Sequence, residues 1–231
     1  MNDQFETAEL TWRDGQVPVS SRFDDPYFSI QNGLAETRHV FLEGNRLAAR
    51  LVPGFHVAEL GFGTGLNLLA LWQLWQAHPT QPAIRFTSFE AFPMNSADMA
   101  QALSAFPELA GVAERLVDHW GQGLWQFQLD GIAVEIVIGD AREQLEIWDQ
   151  MADAWFLDGF SPAKNPELWT PELMASVARH TTSGGTFATY TAAGHVRRAL
   201  SEGGFSVDRV PGFGRKRHMS IGRKMSPDEP E

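Results

Sequence analysis

Cysteine is absent from this chain of 231 residues. Disulfides and thiolate-bound metals are thereby excluded. Long apolar runs are missing too, and none approaches the ~20 residues that a membrane-spanning helix needs. Positive charge is scarce: 18 Lys and Arg stand against 29 Asp and Glu, a net charge of −11. That balance argues against general nucleic-acid binding by bulk charge. The seven His lack the pair spacing of a helical metal site, so no metal is expected. The opening stretch Met1-Asn2-Asp3-Gln4-Phe5-Glu6 is polar and acidic, unlike a signal or transit peptide. The expected setting is the cytoplasm, away from membranes. Apolar and aromatic residues are plentiful, with 43% hydrophobic and eight Trp. They suffice for the core of one large domain.

The most informative stretch is Val57-Ala58-Glu59-Leu60-Gly61-Phe62-Gly63-Thr64-Gly65-Leu66-Asn67. An apolar strand meets an acid, then glycines at alternate positions, then an apolar helix. Such glycines permit a sharp turn and bring a ligand against bare backbone at a helix N-terminus. A dinucleotide fingerprint needs a sixth-position glycine, and Leu66 stands there. A P-loop needs a Lys after its last glycine, which is missing. Glu59 would repel a pyrophosphate, so a cationic ligand such as S-adenosylmethionine fits better. The candidate contacts are Glu59, Gly61, Phe62, Gly63, Thr64, Gly65 and Asn67. The alternative is an ordinary strand–turn–helix junction.

Strand-like and helix-like segments alternate along the chain. Strands are expected at 55–60, 84–89, 124–129, 132–138, 154–157, 186–191, 205–210 and 216–222. Helices are expected at 65–77, 96–117, 171–180 and 193–201. Asp130-Gly131 marks a hairpin between two of the strands. The βαβα order predicts an α/β, Rossmann-like sheet, mostly parallel, with the last two strands as an antiparallel hairpin. Residues 1–50 read as an N-terminal extension on a core domain of 51–224. That extension has a turn at Arg13-Asp14-Gly15-Gln16 and a helix over 32–42 capped by Asn32. The acidic end, 225–231, is expected to be disordered.

Ligands of open α/β sheets bind at the carboxyl ends of the strands. Acids end four of them here: Glu59, Glu90, Asp140 and Asp158. Glu90 suits the two hydroxyls of a ribose, and Asp140 an adenine amino group. Each alone is equally a helix cap. After a glycine turn of this type, the four together point to S-adenosylmethionine. Asp158 opens a rigid loop, Asp158-Gly159-Phe160-Ser161-Pro162-Ala163-Lys164-Asn165-Pro166-Glu167-Leu168-Trp169. Asp158 can hold an amine nucleophile and accept its proton, and Phe160 and Trp169 can stack on a base. The alternative is a crossover whose aromatics belong to the core. Eight Lys and Arg against two acids between His195 and Lys224 give a local +6, leaving −17 for the rest. Such a stripe, with Arg197, Arg198, Arg215, Lys216 and Arg217, is either a footprint for a phosphate backbone or protection of a sheet edge.

Several motifs carry a resemblance: Arg22-Phe23-Asp24-Asp25-Pro26-Tyr27-Phe28-Ser29, Asn32 to Arg38, Glu59 to Asn67 and Ser88-Phe89-Glu90. Asp153 to Pro166, Gly194 to Arg198 and Gly212 to Arg217 continue it. The chain resembles the methyltransferase half of the bacterial bifunctional wobble-uridine enzymes, the MnmC family, and their stand-alone MnmD-like counterparts. The resemblance covers nearly the whole chain. It implies a class I S-adenosylmethionine-dependent methyltransferase fold, with a mostly parallel seven-stranded sheet. It also implies methyl transfer to the aminomethyl nitrogen of 5-aminomethyl-2-thiouridine at the tRNA wobble position. The partner is then the anticodon region of tRNA. Asp158 becomes the catalytic candidate, with Phe160, Lys164, Trp169 and the five basic residues as substrate contacts. The flavin-dependent oxidase half is not carried over, because no second glycine fingerprint is present; the chain is expected to be either a stand-alone enzyme, with the oxidase on a separate protein, or a cut-out domain. Two other readings stay open: a small-amine methyltransferase or aminopropyltransferase on this scaffold, and a non-catalytic cofactor-binding module.

Overall fold

The structure, a computed structural model, describes residues 6–29 and 32–226. The start read above against a leader (1–5) and most of the expected disordered end (227–231) lie outside the described residues.

Asp14 and Gly15 both take positive φ, 52° and 69°, as the central residues of a type I′ turn require, and Gln16 N closes the turn on Arg13 O at 3.2 Å. They join β1 (Leu10–Arg13) to β2 (Val17–Ser20), and β3 (Asp25–Pro26) adds to β2. Asn32 then caps α1 (Gly33–Thr37), its side-chain oxygen accepting from Ala35 N at 2.9 Å. The helix expected over 32–42 does not stay α-helical. From Arg38 to Glu43 it widens into a π-turn, in which Gly44 N donates to His39 O at 3.2 Å. Asn45 fastens this cover to the sheet: its amide nitrogen donates to Phe41 O and Trp155 O, and its oxygen accepts from Thr186.

β4 (His56–Leu60) is buried at every position, as a strand covered on both faces must be. There follow α2 (Leu66–Ala77), β5 (Ile84–Glu90), α3 (Ser96–Leu103), α4 (Ala110–Gly121), β6 (Gln126–Leu129) and β7 (Ile132–Ile138). The chain continues with α5 (Ala141–Ile147), β8 (Ala152–Leu157), α6 (Pro171–Arg179), β9 (Thr181–Thr189), α7 (Gly194–Glu202), β10 (Phe205–Pro211) and β11 (His218–Lys224). The sheet order is β10-β11-β9-β8-β4-β5-β7-β6. Strand β4 is parallel to β5 and β8, and those are parallel to β7 and β9. The hairpin β10–β11 is antiparallel and joins β9 through β11. Strands are laid down first on one side of β4 and then on the other. That reversal opens a crevice at the carboxyl ends of the inner strands.

The sheet has the eight strands read from the residues, one more than the seven the resemblance implies, and β6 pairs antiparallel with β7 across Asp130-Gly131 as the expected hairpin. The helix expected over 96–117 is two. Pro107 cannot sit inside a helix, and it opens a 3₁₀ turn over Pro107–Leu109 instead. Helix α5 was not expected, since only Ala141 and Leu145 are buried in it and they make no readable periodicity. Cores flank both faces. In β8, Phe156 packs on the side of α2–α4 and the N-terminal cover, and Trp155 on the side of α5–α7. No helix among the described residues is long and apolar enough to cross a membrane.

Candidate active site

Gly61 and Gly63 leave β4 at φ 81° and 55°, values that side-chained residues resist. Space is short as well. A Cβ on Gly61 would lie 3.3 Å from Gly159 Cα, and one on Gly63 would lie 3.1 Å from the Tyr27 ring. The turn thus lays bare backbone between the loop after β8 and the N-terminal cover. Beside it opens a cavity of about 860 Å³ at the carboxyl ends of β4, β5, β7 and β8. Of the residues singled out in the sequence, Gly61, Phe62, Gly63, Thr64, Asn67, Glu90, Asp140, Asp158, Phe160, Lys164, Arg215 and Lys216 line it.

Asp158 is partly buried in the wall. Its Oδ2 accepts from Asn67 Nδ2 and its Oδ1 from Gly159 N, both at 2.8 Å. Burial pushes its pKa up to about 6, against these hydrogen bonds and the charge of Lys216. Asn67 is fully committed. Thr37 Oγ1 donates to its oxygen at 3.0 Å, and its amide nitrogen also donates to Glu59 Oε1 at 2.8 Å. Turned over, the amide would face two carboxyl groups with its oxygen, so the orientation is set.

Glu90 accepts from Gly63 N and Phe92 N, both at 2.8 Å, one bond to each oxygen. Burial raises its pKa. Asp140 caps α5 through Arg142 N, and the Arg142 guanidinium bonded to it holds its pKa down. Arg142 also reaches Glu167 at 3.1 Å.

Six expected residues are not among the lining residues. Glu59 is fully buried, takes a 2.6 Å hydrogen bond from Ser88, and has its pKa raised well above the usual carboxylate value by burial. The negative lining expected from it comes instead from Glu90 and Asp158. Gly65 stands at the head of α2, turned away from the cavity, where a Cβ would come within 2.7 Å of Leu116. Trp169 is buried, and its indole N–H donates to Phe160 O at 2.9 Å. It props the loop and offers no face to a base. Arg197 and Arg198 lie on α7, and Arg217 just before β11.

Sequence reasoning placed no site residue in segment 22–29 or at Glu36 and Tyr190, yet the cavity has walls there. Phe23 stacks on Phe160 with centroids 4.8 Å apart, and Tyr27 meets Phe160 edge-on at 5.0 Å. Asp24 pairs with Lys164 at 2.8 Å, and Asp25 accepts from Ser161 N at 2.9 Å. One available signal was rarity: the chain has two Tyr, and both line the cavity.

S-adenosylmethionine, with its sulfonium, ammonium and ribose diol, suits this donor set. The carboxyl groups of Glu90 and Asp158 line the cavity and are of a kind that accepts from cationic and hydroxylic groups.

Comparison with known proteins agrees. The chain is 47% identical over 220 residues to the tRNA 5-methylaminomethyl-2-thiouridine biosynthesis bifunctional protein MnmC of Pseudomonas fluorescens (strain Pf0-1), covering 90% of this chain and 33% of that protein. It is 45% identical over 234 residues to the protein of that name from Pseudomonas aeruginosa (strain UCBPP-PA14), covering 96% and 36%. The chain therefore spans about a third of the length of these relatives. The crystal structure of MnmC2 from Aquifex aeolicus superposes with a TM-score of 0.77 at 26% identity, covering 100% of this chain and 74% of that one. Spermidine synthase from Thermotoga maritima, at TM-score 0.53 and 13% identity over 94% of this chain and 71% of that one, shares the fold. A family model described as S-adenosyl-L-methionine-dependent methyltransferase matches residues 107–225. On that match, and with a cavity whose donors suit its cofactor, the chain belongs to the S-adenosyl-L-methionine-dependent methyltransferase family.

Proposed function

We propose that this chain methylates the aminomethyl nitrogen of 5-aminomethyl-2-thiouridine at the wobble position of tRNA. One observation carries the reading: a carboxylate, Asp158, with its pKa near 6, stands in the cavity wall beside the glycine turn. The name of the relatives supplies the substrate, and the proposal concerns only the third of their length that this chain spans.

Bound S-adenosylmethionine supplies an electrophilic methyl group on its sulfonium. The chain's residues supply the rest. Glu90 is assigned to the ribose hydroxyls, and Asp140, Gly61, Phe62, Gly63 and Thr64 to the remainder of the cofactor. The substrate amine arrives as an ammonium, since free alkylamines titrate near ~10.4. Asp158, oriented by Asn67 and Gly159 N, attracts it and takes one proton. The nitrogen, left neutral by that transfer, would be the nucleophile for the methyl group the bound cofactor would supply. Holding both reactants in line is the main catalytic contribution. Phe160, Lys164 and the stripe of Arg197, Arg198, Arg215, Lys216 and Arg217 are assigned to the tRNA.

The test is transfer of a labelled methyl group from S-adenosylmethionine to bulk tRNA lacking this modification, with free polyamines in parallel. Label in 5-methylaminomethyl-2-thiouridine after digestion supports the proposal. Label in polyamines alone, or in another nucleoside, overturns it.

A further inference from the structure

Lys216 leaves the basic stripe and turns into the cavity. Its ammonium lies 2.8 Å from Glu36 Oε1 and 4.4 Å from the centre of the Tyr190 ring. The Glu36 side chain is only 12% exposed. Tyr190 is fixed by its hydroxyl, which donates to Gly159 O at 2.8 Å, and by Trp169 edge-on against its ring at 6.3 Å. Gly159 follows Asp158 directly, so the Tyr190 face is tied to the loop of the proposed proton acceptor, and the charges of Lys216 and Glu36 both act on Asp158. A carboxylate at one side and a π face at another make the usual surroundings of a bound ammonium.

We propose that Glu36 and the face of Tyr190 form a recognition subsite for a primary ammonium group, and that Lys216 holds the place the substrate's ammonium takes. The proposal rests on reading the substrate as an aminomethyl-bearing base and assigns it two residues beyond Asp158. Entry of the substrate amine displaces Lys216 from Glu36. Lys216 sits on the loop between β10 and β11, beside Arg215 and Arg217, so the displaced ammonium is free to meet a phosphate. The exchange lets the amine site discriminate: a free amine must compete with a tethered one, whereas an amine on tRNA brings the phosphates that draw Lys216 away.

Calorimetry with benzylammonium, a primary ammonium on an aromatic ring, tests the subsite without relying on catalysis. Each variant of the full chain is first checked for an unchanged melting midpoint. Lys216→Met is expected to bind the probe about 5-fold more tightly or better, and Glu36→Gln and Tyr190→Leu about 5-fold more weakly, the scale of a partly desolvated cation–π or ionic contact. Tyr190→Phe keeps the π face and is expected to bind like the wild type. Weaker or unchanged binding by Lys216→Met, or unchanged binding by Glu36→Gln, overturns the proposal. Methylation of hypomodified tRNA is measured separately. Its failure with the subsite intact removes the wobble-base reading and leaves the ammonium site standing.

Discussion

An aspartate with a pKa near 6 is mostly ionised at pH 7.5, yet burial opposes that charge in Asp158. In the unfolded chain its pKa returns to about 3.8. The folded state therefore binds the proton more tightly, and this group's contribution to stability is lost as pH rises through about 6. Asp158→Asn has no charge to bury. It does turn its amide nitrogen against one of the two donors, Asn67 Nδ2 or Gly159 N, so the expected signature is the trend: its melting midpoint relative to that of the wild type rises from pH 4 to pH 8, as read by scanning calorimetry. The same variant is expected to lose about 10²-fold in methyl transfer at saturating cofactor, the scale of a missing acid–base or positioning group. The wild-type rate is expected to fall below about pH 6, where Asp158 takes up its proton. Turnover near the wild-type level in Asp158→Asn would leave the carboxylate as a structural cap. Asp158, Glu90 and Asp140 were legible because each ends a strand at the crevice. The interior setting of Glu59 was not, since its spacing from the glycines is that of a lining residue and only the fold reveals Ser88 and Asn67 around it. Trp169 misled for a related reason: an aromatic in a loop reads alike whether it faces a ligand or supports the backbone.

The turn after β4 gains its shape from two sources, the glycines and the carboxylate of Glu90 that accepts Gly63 N. Gly63→Val puts branched carbon against Tyr27 in a left-handed backbone. Glu90→Ala releases both Gly63 N and Phe92 N. Hydrogen bonds to charged groups contribute about 1.5–3 kcal/mol, so Glu90→Ala is expected to weaken S-adenosylmethionine binding by ~10-fold or more, and Gly63→Val is expected to weaken it as well by distorting the turn. Unchanged affinity in both folded variants would move the cofactor away from this turn. The strand and helix of this unit were read from sequence to within a residue, because apolar runs of these lengths leave few choices. Shorter elements escaped. Helix α5 has seven residues and two buried side chains, and the break at Pro107 was hidden in a longer apolar pattern.

Alternation of strands and helices was enough to give the parallel sheet and its antiparallel end. The walls of the cavity were less legible, because they join segments 22–29, 158–168 and 213–216, far apart in the chain. Charge is also arranged at this scale. The stripe between His195 and Lys224 is a local +6 on a body of −17. If it meets the tRNA backbone, affinity falls steeply with salt, and each lost phosphate contact lowers the slope of log affinity on log salt by about 0.7–0.9. Neutralising Arg197, Arg198, Arg215 and Arg217 together is expected to flatten that slope in filter-binding titrations. A slope that is near zero in the wild type, or unmoved in the variant, returns the stripe to protecting the sheet edge.

Phe23 on Phe160, Asp24 on Lys164 and Asp25 on Ser161 N tie the N-terminal cover to the loop after β8. Their consequence is one of timing. If spent cofactor leaves between these two walls of the cavity, the tie would have to part, and each cycle would then include an opening event separate from bond-making. Asp24→Asn weakens the tie while keeping a residue that tolerates the φ of 49° found there. In stopped-flow chase experiments this variant is expected to release S-adenosylhomocysteine faster. Its single-turnover rate of methyl transfer is expected to stay within about 2-fold of the wild type, since the reacting groups are untouched.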